Sequence, residues 1–249
     1  MQRSLIAALV ALTFASAGIT HAGEFSITPV RLDLASSARS QLLSVTNLGS
    51  TPARFMVRAA GWTVNEGGGV DLVPDDSLLV FPASFTIPPK GTQNVRAGTD
   101  LAPADVERTW RIVLEELPDP NPTAQQGTTI NVLSQLSVPV FMAPRQVRRE
   151  LKLGPPAVDG NQARILVANT GNVHALVTAV SLTALREQQV LAEGRKEGWY
   201  LLPGSQRTYA ITGTAAWCTS GVNRFELRAF DRDGQQLAQQ ALDAREVCR

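Results

Sequence analysis

Residues Ile130 to Met142 read INVLSQLSVPVFM. Apolar side chains fall at Ile130, Val132, Leu136, Val138, Val140 and Met142, and Ser134 is the one break in the even set. Polar Asn131, Gln135 and Ser137 fill half of the odd positions. A period of two predicts an extended strand with one apolar face. The stretch is much longer than the usual strand of about five or six residues. Its apolar face is either covered within its own domain or kept for a partner, and function turns on which.

The rest of the chain shows no sustained helical period. Short apolar stretches alternate with turn signals at Asn47-Leu48-Gly49-Ser50, Glu66-Gly67-Gly68-Gly69, Pro89-Lys90-Gly91 and Asn169-Thr170-Gly171-Asn172. This spacing predicts an all-β sandwich architecture. Asp233-Gly234 predicts a tight hairpin. The stretch SVTNLGSTPARFMV around Asn47 is echoed by LVANTGNVHALVTAV around Asn169, and Pro89-Lys90-Gly91 by Pro203-Gly204-Ser205. Two tandem sandwiches of roughly 120 residues account for the repeat. Pro144 ends the long strand, so the boundary is expected there: a first domain over 23–144 and a second over 145–249. Pro118 to Gly127 predicts a flexible loop.

Arg3, the apolar run LIAALVALTFA and the small residues before Gly23 predict an export signal over residues 1–22. The cut is expected after Ala22, with Ala17 as the alternative. The run is short for a bilayer span of about 20 residues. Without Arg3, the 23 Lys and Arg residues fall to 22, against 22 Asp and Glu. That balance argues against nucleic acid as a partner. Cys218 and Cys248 allow one disulfide in an exported chain, or two buried thiols. No metal site is expected, because His174 is the only histidine outside the leader. His174 itself, beside a turn, is expected at the surface. Enzyme motifs are missing. Glu115 and Glu116 are adjacent, so on a strand they face opposite ways and cannot serve one acid–base site.

Taken in order, ITPVRLDL, SVTNLGSTPARFMVRAAGW, FTIPPKGTQNVR, WRIVLEELP and INVLSQLSVPVFMAP resemble a known family. It is the PapD-like periplasmic chaperones of the chaperone–usher pathway, which assemble pili. The resemblance implies an all-β fold of two tandem immunoglobulin-like β-sandwich domains in an L-shaped arrangement. It implies a non-enzymatic chaperone in the periplasm that needs no cofactor and no small-molecule substrate. Such a protein lends its long strand to an unfinished pilus subunit and hands the subunit to an outer-membrane usher. The lent residues would be Ile130, Val132, Ser134 and Leu136. Arg31 would anchor the subunit's C-terminal carboxylate. Other members carry a second basic anchor on the long strand, where this chain has Pro139. Arg111 or Arg145 would have to replace it, which marks a divergent branch. Pro139 would then split the strand, with Val138 to Met142 forming the seam to the second domain. A free chaperone of this kind is also expected to self-associate. Two alternatives remain at this stage: a fimbrial structural subunit or adhesin, and a secreted carbohydrate-binding sandwich.

Overall fold

The computed structural model describes residues 25–65, 69–120 and 132–248. The expected leader, Ile130 and most of the Pro118–Gly127 loop lie outside the described residues. The first sandwich contains β1 (Phe25–Thr28), β2 (Leu32–Leu34), β3 (Ser40–Asn47), β4 (Ala53–Val64), β5 (Val70–Pro74), β6 (Leu79–Phe81), β7 (Ser84–Ile87), β8 (Thr92–Gly98), β9 (Arg108–Leu117) and β10 (Gln135–Met142). One of its sheets has the order β1-β3-β8-β6, and the other β2-β10-β9-β4-β5 with β7 added on β4.

The second sandwich contains β11 (Leu151–Leu153), β12 (Ala157–Asp159), β13 (Gln162–Asn169), β14 (Ala175–Leu176), β15 (Ala179–Arg186), β16 (Gln189–Glu197), β17 (Tyr200–Leu201), β18 (Gln206–Thr212), β19 (Arg224–Phe230) and β20 (Gln236–Asp243). Its sheets run β11-β13-β12, with β18 on β13, and β16-β15-β19-β20; β14 and β17 form a small ribbon. A short helix, α1 (Ala244–Val247), follows, with the Asp243 carboxylate accepting from Arg245 N.

Alternation decides what is inside. Leu43 and Val45 of β3, Val95 and Ala97 of β8, Ile112 and Leu114 of β9, and Val138, Val140 and Met142 of β10 fill the first core. Ile165, Val167, Leu182, Trp217, Phe225 and Leu227 fill the second. The cleft-ward part of the β10 even face is therefore core of its own sandwich. Of the stretch Val138 to Met142 expected to form the seam, Val138, Val140 and Met142 are therefore core instead, and only Phe141 reaches the second sandwich. The strand is also shorter than its pattern: β10 begins at Gln135. Asp233-Gly234 lies in a wider connection between β19 and β20, not in a two-residue turn. The Asp231 carboxylate holds that width by accepting from Asp233 N and Gln235 N.

The repeat has a physical basis in two buried asparagines. Asn47 donates from Nδ2 to Thr51 O and Ile87 O and accepts from Gly49 N through Oδ1. Asn169 donates to Val173 O and Leu201 O and accepts from Gly171 N. The backbone matches as well: Asn47 N donates to Gly91 O, and Asn169 N to Ser205 O. Each asparagine ties its own turn to the Pro-Gly turn across the sandwich, satisfying carbonyls that burial would otherwise strand. Cys218 and Cys248 form a disulfide that fixes α1 against the second sandwich. It closes a loop that chain entropy values at about 3 kcal/mol.

Asn169→Ala leaves two buried carbonyls and one N–H without this partner. At about 1 kcal/mol or more for each stranded group, it is expected to cost the second sandwich about 3 kcal/mol. Urea unfolding followed by tryptophan fluorescence measures this, and a loss under about 1 kcal/mol would show that the asparagine does not carry the turn.

Candidate functional site

β10 is unevenly partnered. It pairs antiparallel with β9 along its whole length, from Gln135 opposite Glu115 to Met142 opposite Arg108. On its other side it pairs in parallel, among the described residues, only with β2, from Val140 beside Leu32 to Met142 beside Leu34. Glu116 N donates to Ser134 O at 2.9 Å. In an antiparallel ladder this makes the even residues the bonded ones toward β9. The backbone groups of Gln135 and Ser137 therefore turn to the open edge. Pro139 is odd too, so its missing N–H costs no bond to β9 and falls on the outer edge, where proline is tolerated. Upstream, Val132 is 58% exposed and Leu133 is exposed as well. Ser134 N donates to the Glu116 carboxylate at 2.9 Å, and Leu136 rests partly on the first core. Of the four residues expected to be lent, Val132 is the exposed apolar one and Ile130 lies outside the described residues.

The outer face of this sheet carries a row of its own. Arg111 of β9 lies opposite Pro139 of β10 and Ala60 of β4. Arg31 immediately precedes β2, and continuing the β2 register places it beside Pro139 on the other side. Two arginines thus flank Pro139, about 10 Å apart at the backbone by strand spacing. Arg31 Nε pairs with Asp33 at 2.9 Å across half-open surface. Burial pulls its pKa down, but Asp33 and a hydrogen bond with Tyr200 outweigh that, and the net shift is upward.

Arg111 is different. It is 7% exposed, stacks over the Trp62 ring at 4.0 Å and has a long contact to Ser137 Oγ. Its Nε is buried without a partner. Burial lowers its pKa, with Tyr200 acting weakly the other way. Among the described residues no carboxylate pairs with this buried guanidinium, a costly arrangement that an arriving anion would relieve. Arg145, the other candidate, is exposed and already held by Asp105 at 2.6 Å. Glu115 and Glu116 serve structure: Arg58 and then Gln135 hydrogen-bond Glu115 and hold its pKa down.

One row farther, the outer face becomes apolar and meets the second sandwich. Trp62 and Phe141 pack there against Tyr200 and Leu202. The real seam is therefore on the odd face of β10, through Phe141. His174 is not a surface residue. Its ring stacks on Phe141 at 3.7 Å between centroids. Its Nδ1 lies 2.9 Å from the Glu107 carboxylate, which is 5% exposed and also accepts from His174 N. Glu107 N donates to Asn172 O, and Asn172 Nδ2 donates to Asp105 O. The second repeat turn is thus clasped by the loop before β9. A cleft of about 610 Å³ opens beside the seam, lined by Arg31 and by Arg149, Glu150, His174, Leu176 and Asp231. Among the described residues no group of His, Cys, Asp and Glu is arranged to hold a metal ion.

Compared with known proteins, residues 24–148 match the family described as pili and flagellar-assembly chaperone, PapD N-terminal domain. Curated proteins gave no match. Among solved structures, the chain is similar to the CsuC–CsuE chaperone–tip adhesion subunit pre-assembly complex of archaic Csu pili from Acinetobacter baumannii. Identity there is 17% and the TM-score 0.57, over 88% of this chain and 97% of that one. It is similar also to the Salmonella enterica SafA pilin in complex with the SafB chaperone, at 14% identity and TM-score 0.58, over 90% and 98% of the two chains. At such identities the likeness establishes the fold, two immunoglobulin-like sandwiches.

Removing the ring at the centre of the seam should free the two sandwiches from each other. Phe141→Ala is expected to weaken the seam by about 2 kcal/mol or more, which is over tenfold in the open population. Tryptic cleavage after Arg145, Arg148 and Arg149 should accelerate to match, and an unchanged cleavage rate would mean that the seam is held elsewhere.

Proposed function

The chain belongs to the family of pili and flagellar-assembly chaperones, and we propose that it works in the periplasm by donor-strand complementation. In this reading residues 1–22 direct export, 23–144 form the lending domain and 145–249 the second domain. The protein stabilises pilus subunits by lending Ile130, Val132, Ser134 and Leu136, and delivers them to an outer-membrane usher. The observation that carries the reading is the open edge of β10: among the described residues it is paired toward β9 yet free beyond the three-residue contact with β2.

The physics is additive. An unfinished subunit exposes unpaired backbone groups and an apolar groove. A strand laid along β10 satisfies the Gln135 and Ser137 backbone groups while apolar side chains upstream fill the groove. Each buried Ile or Val contributes roughly 1.5–3 kcal/mol before ordering costs. No nucleotide is required, because the folding of the subunit supplies the driving force. Arg31 and Arg111 complete the site. The carboxylate at the end of a subunit strand, arriving over Pro139, meets one guanidinium from each side. The buried one gains the counter-charge it lacks. Arg111 thereby takes the place of the second basic anchor that Pro139 cannot supply.

The double substitution Ile130→Asp with Val132→Asp is expected to abolish co-purification of a co-expressed pilus subunit while the chaperone stays folded by circular dichroism. Normal co-purification would sink strand lending. Arg31→Ala and Arg111→Gln are each expected to weaken capture by about tenfold or more, the size of one charge-assisted hydrogen bond. Calorimetry that shows no loss for Arg111→Gln would remove Arg111 from the anchor and leave Arg31 alone.

A further inference from the structure

The upstream end of β10 is set by two residues at the end of β9. Gln135 lies opposite Glu115, so the next pair in that register is Ser134 with Glu116. A bonded pair of an antiparallel ladder exchanges two backbone hydrogen bonds. One of them is made: Glu116 N donates to Ser134 O at 2.9 Å. The second donor, Ser134 N, goes to the Glu116 side chain, 2.9 Å from Oε2. One bonded pair farther on, Val132 would face Pro118, which has no N–H to give. The ladder therefore stops at Ser134, and Val132 and Leu133 beyond it are 58% and 47% exposed.

The same carboxylate accounts for the break in the even apolar set. Ile112 and Leu114 of β9 point into the core, and alternation puts Glu116 on that face after them. Residues directly opposite in a sheet share a face, so the side chain at position 134 stands beside a carboxylate. Serine suits that neighbour, and a branched apolar side chain would not. Glu115 is on the other face, where Arg58 and Gln135 hydrogen-bond it.

We propose that Glu116 is a positioning residue for strand lending: its carboxylate pins Ser134 to the end of β9, so that Val132 is offered to a guest from a fixed register. The proposal rests on the strand-lending reading above. A backbone residue that must be ordered at the moment of binding costs roughly tenfold in affinity. A residue pinned beforehand does not carry that cost into binding.

The test uses a synthetic extended peptide of alternating valine and threonine and the full-length protein. NMR titration follows the amides of Gln135 and Ser137 on the open edge, and amide exchange at Ser134 is measured without peptide. Wild type is compared with Glu116→Ala, Glu116→Leu and Glu116→Gln. Glu116→Ala is expected to bind the peptide about tenfold more weakly and to exchange Ser134 N–H at least about tenfold faster, the size of one hydrogen bond to a charged group. Its melting temperature is expected to stay unchanged. Glu116→Leu keeps the side-chain bulk, removes the acceptor and is expected to show the same loss, so the test survives a packing defect in Glu116→Ala. Glu116→Gln keeps an accepting oxygen and is expected to stay within about threefold of wild type. Wild-type affinity in both Glu116→Ala and Glu116→Leu, or a loss in Glu116→Gln as large as theirs, overturns the role of Glu116 and leaves strand lending standing. A wild type whose Gln135 and Ser137 amides do not respond to the peptide overturns the lending reading and the Glu116 proposal together.

Discussion

A strand in a sheet has two edges, and whatever lies along them must satisfy its backbone. In this molecule β10 meets that demand in full on one edge and only in part on the other. β10 is bonded along its length to β9, but β2 covers only its last three residues on the other side. The even side chains of the covered part sink into the core, while the uncovered part is left with an open ladder and exposed Val132. A soluble domain ordinarily hides or blunts such an edge. The core is complete without the free edge, and the second domain meets the outer face of the same sheet at Trp62 and Phe141.

The outer face of the same sheet shows how closely charge and apolar packing can be juxtaposed. Arg111 and Trp62 are on neighbouring rows, and the guanidinium stacks on the ring. Burial makes this cation expensive, and the ring's electron-rich face offsets part of that cost. Trp62 and Phe141 of that neighbouring row join the second sandwich. The polar clasp between Glu107 and the Asn172–His174 turn then fixes the angle of approach.

Much of this was legible in the chain. Period-two patterning gave the all-β class. The Asn47 and Asn169 echo marked two sandwiches because a buried asparagine needs the same partners in each. The cysteine pair proved to be a disulfide. What the chain did not disclose is what depends on residues meeting from far apart. Phe141 reads as a break in the polar odd face and becomes the seam only when Tyr200 is brought to it. His174 reads as a turn residue; Glu107 and Phe141, distant in sequence, make it interior. Arg111 sits in an ordinary strand pattern, and only the register with Pro139 gives it meaning. The period-two pattern also runs upstream of Gln135, where β10 begins, because periodicity marks a face and not a pairing.

Pro139 also has a consequence for the edge itself. It sits where the covered part of the edge meets the open part, and it offers no N–H to either occupant. In the proposed strand-lending reading, a guest strand that runs toward the cleft would reach a fixed stop between Arg31 and Arg111. The edge would then act as a ruler with its zero at Pro139. Distance along a guest strand is counted back from its terminal carboxylate in steps of two residues, so a guest longer or shorter by one residue would turn its apolar face the wrong way.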